Sequence, residues 1–317
     1  MKIAAFPKCY LDAISVERSM SVFDWITDSQ SLGADGLELY EGFFWSTEAG
    51  YVDSIGEALE TAGTVMPMLC CSPDLAHPDA DVRRRAVDHE ATMMGIARRL
   101  GGPGAACRVL TGQRHPGVPL QQGLDWAVEA INELLPLAHE LDVVLALENH
   151  YKDGSWAYPE LAQRREDFLH VLDRVPDRTH FGVQYDPSNA LVAGDDPVAL
   201  LREVVDRVVT MQASDRYLRP GLSLESLRQA DGTLGYSPDL LHGVVGEGLN
   251  DYDEIFAVLA AAGYDGWVSI EDGVNGLDEM RRSVEFLRLM RDRHFHGSTA
   301  VSVRSLDESR ARVPVRS

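Results

Sequence analysis

The chain has 317 residues, 45% of them hydrophobic, and carries 50 acidic against 29 basic side chains, a formal net charge of −21. That balance argues against a nucleic-acid partner, whose phosphates require a basic surface, and against an anionic membrane surface. The length suits one large domain or two ordinary ones, and α/β barrels reach it as single domains. The opening MKIAAFPKCYLDAI lacks the long apolar core of a signal peptide, and no apolar run approaches ~18 residues. Cys9, Cys70, Cys71 and Cys107 show no metal-type spacing and sit among largely apolar neighbours. They read as reduced core thiols in a cytoplasmic protein.

In chain order, Lys2 to Phe6 is the first expected strand, and Val16 to Ser31 reads as an amphipathic helix stopped by Gly33. Gly36 to Leu39 is the second strand, followed by Tyr40, Phe43, Phe44 and Trp45 and a helix over 52–62. Thr64 to Cys70 is the third strand, with Pro67 an objection because proline cannot donate to a ladder. A long helix over 79–100 opens with acidic residues and ends in Arg98 and Arg99, as the helix dipole favours. Ala105 to Leu110 is the fourth strand, and another long helix covers 120–141. The fifth strand, Val143 to Leu147, is an unbroken apolar run that ends abruptly in Glu148, Asn149 and His150. Such a run suits a strand buried on both faces in a parallel sheet.

A helix over 159–175 precedes the sixth strand, Phe181 to Tyr185, which breaks into Asp186, Pro187, Ser188 and Asn189. After a short helix over 197–206, the seventh strand, Val208 to Met211, ends at Gln212, Ser214, Asp215 and Arg216. The stretch 213–250 is glycine-rich and weakly periodic, a long loop of the kind that is functional or disordered, with room for a short helix near 224–229. A helix over 251–262, the eighth strand Trp267 to Ile270 and a final helix over 277–292 complete the pattern. Residues 294–317 read as a mobile tail. Eight strand–helix units within residues 1–293 predict one closed α/β barrel, a (β/α)8 TIM barrel, and no nucleotide fingerprint is present, so no nucleotide cofactor is expected.

Strand ends of such a barrel converge at one mouth, and here they carry Glu38, Glu148, His150, Asp186, Asn189, Gln212, Asp215 and Glu271. Each carboxylate alone also reads as a cap or an ion-pair partner. Together on consecutive strand ends they would repel strongly without a cation, and oxygen donors favour hard or borderline divalent metals, Mn²⁺ first, then Mg²⁺ or Co²⁺.

The segments LENHYKDG, YDPSNALVAG, VVTMQASDR, GEGLNDYDEIFAVLAAAGYDGWVSIED and MRRSVEFL resemble the xylose isomerase-like TIM barrels, a superfamily of sugar isomerases and epimerases that includes endonuclease IV. The resemblance implies one divalent metal held by Glu148, Asp186 and Glu271, with Gln212, as a fourth ligand or only a hydrogen-bonding neighbour, where the family has a histidine. A neutral amide oxygen is a weaker, harder donor than imidazole, which disfavours zinc and an endonuclease site built from several histidines.

A metal bridging a sugar carbonyl and its neighbouring hydroxyl acidifies the adjacent C–H, and a base then forms an enediolate. The resemblance assigns that proton work to Glu148 and Glu271, and His150 offers an independent base on the same side of its strand as Glu148. ENHYKDGSWAYPE, SDRY and FPKCYLDAI look closest to the large subunit of C-glycoside deglycosidases. This branch implies a lyase acting on 3-oxo-C-glycosides with a small β-rich partner subunit. An aromatic aglycone would then lie against Tyr40, Phe43, Phe44, Trp45 or Trp156, and Arg216 would hold a sugar hydroxyl or pair with Asp215. A keto-sugar isomerase or epimerase, a dehydratase and a non-catalytic sugar-binding barrel stay open as alternatives.

Overall fold

The computed structural model describes residues 1–230 and 237–296. Its strands are β1 (Lys2–Ala5), β2 (Gly36–Tyr40), β3 (Met68–Cys70), β4 (Ala106–Val109), β5 (Val144–Glu148), β6 (Phe181–Tyr185), β7 (Val208–Ala213), β8 (Arg216–Leu218), β9 (Leu240–His242) and β10 (Trp267–Ile270). The first seven and β10 form a closed parallel barrel in chain order, sealed where β1 pairs β10 from Lys2↔Trp267 to Ala5↔Ile270. The helices are α1 (Leu11–Ser15), α2 (Val22–Ser29), α3 (Ala49–Ala62), α4 (Ala80–Gly101), α5 (Leu120–Leu141), α6 (Arg165–Arg174), α7 (Pro187–Ala193), α8 (Pro197–Val204), α9 (Leu224–Ala230), α10 (Tyr252–Ala261) and α11 (Leu277–Arg291). The main core includes Trp25, Ile55, Phe168, Phe181 and Phe256. Met68, Cys70, Ala106 and Ala146 form a separate small cluster. Among the described residues no helix is long and apolar enough to cross a membrane.

Several expected boundaries shift for local reasons. The helix expected from Val16 starts at Val22, because the Ser21 hydroxyl accepts from the Asp24 N–H while the Asp24 carboxylate accepts from the Ser21 N–H. Val16 stays 73% exposed in the loop before it. Pro67 lies just before β3 rather than inside it, so its missing N–H costs no ladder bond, while its carbonyl accepts from Ala106. The helix expected from Pro159 begins at Arg165, since Glu160 is buried and its carboxylate accepts from the Thr111 N–H at 2.8 Å.

The stretch 213–250 is not a featureless loop. β8 and β9 pair antiparallel with Arg216 opposite His242, and α9 lies between them. Asp215 organises its return: its carboxylate accepts the backbone N–H groups of Gly246 and Gly248 at 2.9 Å and of Asn250 at 3.2 Å. Most of the expected tail, residues 297–317, lies outside the described residues.

Candidate active site

Residues two apart on a strand face the same side. Cys70, Ala106 and Ala146 share a cluster, so Arg108 and Glu148, two residues further along β4 and β5, turn toward the barrel axis above it. Asp186 follows Gln184 on β6, Gln212 follows Thr210 on β7, and Glu271 follows Ser269 on β10 in the same phase. Strand parity therefore brings Glu148, Asp186, Gln212 and Glu271 to the mouth, but not every polar residue expected there. A cavity of about 630 Å³ opens above them, within the ~300–1,000 Å³ that buries a drug-sized ligand. Lys8, Arg108, His150, Asp186, Asn189, Gln212, Arg216, His242 and Glu271 line it.

Asp186 caps α7, accepting the Asn189 N–H at 2.8 Å and the Ser214 hydroxyl at 2.7 Å, with Pro187 at the first helical position. Asn149 points away from the cavity. It locks the ends of β5 and β6 together, donating to the Asp186 carbonyl at 2.6 Å and accepting the Asp186 N–H at 2.8 Å. Glu148 is held from both sides, by Arg108 Nη1 at 2.8 Å and by Asn189 Nδ2 at 2.8 Å. Lys8 Nζ stands 2.8 Å from Glu271 Oε1. Burial opposes ionisation of Glu271, but the Lys8 ammonium outweighs it and lowers the carboxyl pKa.

A divalent cation fits this donor set on two observations. Gln212 is buried and its Oε1 has no hydrogen-bond partner among the described residues, while its Nε2 donates to Glu38 and to Cys70 Sγ. Burial, and then the Glu271 and Glu148 carboxylates, push the Asp186 pKa up, a repulsion that a cation relieves. Among the described residues, Cys71, Glu90 and Cys107 are the one His, Cys, Asp or Glu group whose ligand atoms lie mutually within 4.8 Å. Glu148, Asp186 and Glu271 do not form such a group among the described residues. Cys71 and Cys107 are reduced and fully buried between barrel and helix, with their sulfurs 3.8 Å apart.

His150 lines the cavity, its Nδ1 3.5 Å from Glu160 Oε2 and its ring edge-on to Trp156 at 5.9 Å. Burial opposes its protonation, but the Glu148 and Glu160 carboxylates outweigh that and raise its pKa. Several expected substrate contacts lie elsewhere. Asp215 spends its carboxylate on backbone N–H groups, Phe44 belongs to the hydrophobic core, and Trp45 is 45% exposed beside Arg18. Glu38 sits beneath Gln212, fully buried, with burial raising its pKa to about 7. Trp156 backs His150 and is not among the lining residues, whereas Asn189 and Arg216 are.

The sequence reading passed over Lys8, Arg108 and His242. Arg108 was discoverable, since it shares the parity of Ala106 within the expected fourth strand. Lys8 meets its partner 263 residues away, and His242 reaches the cavity only through the β8–β9 pairing, so neither carried a local signal.

A family model described as the xylose isomerase-like TIM barrel matches residues 26–290. A probable endonuclease 4 from Methanoculleus marisnigri is 27% identical over 134 residues, 42% of this chain and 45% of that protein. An inosose dehydratase from Geobacillus kaustophilus is 29% identical over 147 residues, 45% of this chain and 44% of that protein. The chain thus spans less than half the length of these curated relatives. A solved D-tagatose 3-epimerase-like protein shares the fold with a TM-score of 0.74 at 16% identity, covering 95% of this chain and 100% of that one.

Proposed function

This chain belongs to the xylose isomerase-like TIM barrel family, and from that premise we propose a divalent-metal-dependent enzyme that removes a proton beside a sugar carbonyl. Within that chemistry we assign it as a lyase that cleaves the sugar–aglycone carbon bond of 3-oxo-C-glycosides. The observation that carries this reading is the mixed polar and apolar lining of the cavity. Asp186, Gln212, Glu271, Lys8 and Arg108 in that lining suit a polyhydroxylated ring, while Phe6, Leu11, Val16, Tyr40 and Leu240 offer apolar surface for an aglycone. These apolar residues replace Phe44, Trp45 and Trp156 as the aglycone surface.

Glu148, Asp186, Gln212 and Glu271 would hold the metal, Mn²⁺ by preference for an oxygen donor set. When bound, the ion polarises the carbonyl and acidifies the neighbouring C–H. Arg108 and Asn189 fix both oxygens of Glu148, and Lys8 keeps Glu271 ionised. Lys8 and Arg216 face the cavity as cations able to meet negative charge developing on the carbonyl oxygen. His150 is placed for proton transfer. In the reaction a base takes the proton from C2 of the 3-oxo sugar, and that electron pair becomes the C1–C2 double bond. The C1–aglycone bond breaks with its pair, and the aglycone carbon takes up a proton. A nucleic-acid substrate suits neither the net charge of −21 nor the amide at position 212.

The experiment is incubation with a 3-oxo-C-glucoside of an aromatic aglycone and Mn²⁺, with a small β-rich partner subunit sought by co-purification. Release of free aglycone is expected. No release, with solvent deuterium entering a free ketose instead, replaces the lyase by a keto-sugar epimerase or isomerase. The presence of two cavity-lining imidazoles, His150 and His242, favours that second reading.

A further inference from the structure

His242 ends β9, directly opposite Arg216 on β8, so the paired strands carry both side chains to the cavity. Its Nδ1 lies 2.6 Å from Asp272 Oδ1. Asp272 is fully buried, and its other oxygen accepts the Asp215 backbone N–H. A carboxylate that accepts on both oxygens makes Nδ1 the donor, fixes the ring and leaves the Nε2 lone pair for the cavity. The His242 side chain keeps 23% exposure while Asp272 has none, the arrangement of an imidazole held from behind and open in front. Around the eight strands, β10, which leads to Asp272, stands three positions from β5, which leads to His150.

We propose that His242 is a catalytic base of this site and Asp272 its positioning residue. The inference rests on the keto-sugar reading above and deepens it. Nε2 takes the proton from the substrate carbon beside the carbonyl: the C–H bond breaks, an N–H bond forms, and the electron pair moves to the carbonyl oxygen, toward the Lys8 and Arg216 charges. The Asp272 carboxylate meets the imidazolium that results. When the oxygen's pair re-forms the carbonyl, the pair between the two neighbouring carbons becomes the C1–C2 double bond, the C1–aglycone bond breaks with its electrons, and the proton on His242 passes to the leaving carbon.

The test uses the full chain with Mn²⁺ and methyl 3-oxo-β-D-glucopyranoside in D₂O, following loss of the proton signals beside the carbonyl by NMR. His242→Gln is expected to slow exchange about 100-fold or more while calorimetry shows the probe still bound. Free imidazole restores exchange to His242→Gly. Asp272→Asn lowers kcat with KM unchanged, which a merely structural role would not do. Exchange by His242→Gln at the rate of the unaltered protein overturns the proposal alone, as does a His242→Gly defect that imidazole leaves in place. Absence of exchange by the unaltered protein overturns the keto-sugar reading and the proposal with it.

Discussion

Arg108 shows how much of this site rests on single side chains. It is 5% exposed, and besides Glu148 it reaches the Cys71 carbonyl at 2.9 Å and the Ser72 hydroxyl at 2.8 Å. Removing one member of a buried ion pair leaves the other uncompensated, a loss of about 3–5 kcal/mol. Arg108→Ala should lower metal-free stability by that order in urea unfolding, with added Mn²⁺ recovering part of it. The carboxylates were legible in the sequence because each ends an apolar run, and an abrupt change from Leu147 to Glu148 or Tyr185 to Asp186 is a strong local mark. Their cationic partners were not, because an ion pair joining β1 to the end of β10 leaves no trace in spacing. Asp215 misled for a related reason. Sequence cannot reveal that a strand-end carboxylate is saturated by the N–H groups of Gly246, Gly248 and Asn250.

Among the elements, β8 and β9 are the least anticipated and the most consequential. They occupy the stretch expected to be a loop, and the residues the cavity uses are Arg216, which opens β8, and His242, which ends β9. Asp215 ties this ribbon to the barrel through partly buried N–H groups, whose loss of a partner costs up to about 1–3 kcal/mol. Asp215→Ala is therefore expected to raise amide hydrogen exchange across 216–218 and 240–242 roughly tenfold or more, with barrel strands protected as before. A replacement that leaves ribbon exchange unchanged would mean the ribbon is held by its own pairing. The N-terminal helix carries a different lesson. Its start was written in Ser21 and Asp24, but apolar periodicity from Val16 outweighed the capping signal.

At the scale of the whole molecule, the eight-fold alternation of strand and helix was readable because each strand is short, apolar and bounded by polar turns. The molecule should also report its ion as a stability change. At a free concentration of ~100 Kd, a ligand that binds only the folded state adds about 2.7 kcal/mol. Mn²⁺ should accordingly raise the melting temperature by several degrees and chelation should reverse it, while Glu148→Gln should blunt both effects. A melting temperature indifferent to Mn²⁺ would remove the metal from the site.

The pairing of Lys8 with Glu271 has a consequence for how the protein is made. It spans 263 residues and joins the turn after β1 to the residue that follows β10, just beyond the two strands that seal the barrel. At ~5–20 residues per second, the ribosome needs roughly 13–50 s after Lys8 appears to deliver its partner. Through that interval β1 has no closing neighbour and presents an unpaired edge, the kind of surface that invites aggregation and chaperone binding. The chemistry of the mouth and the seam of the barrel are thus completed in one late event. A ribosome-stalled chain ending before residue 271 should lack both.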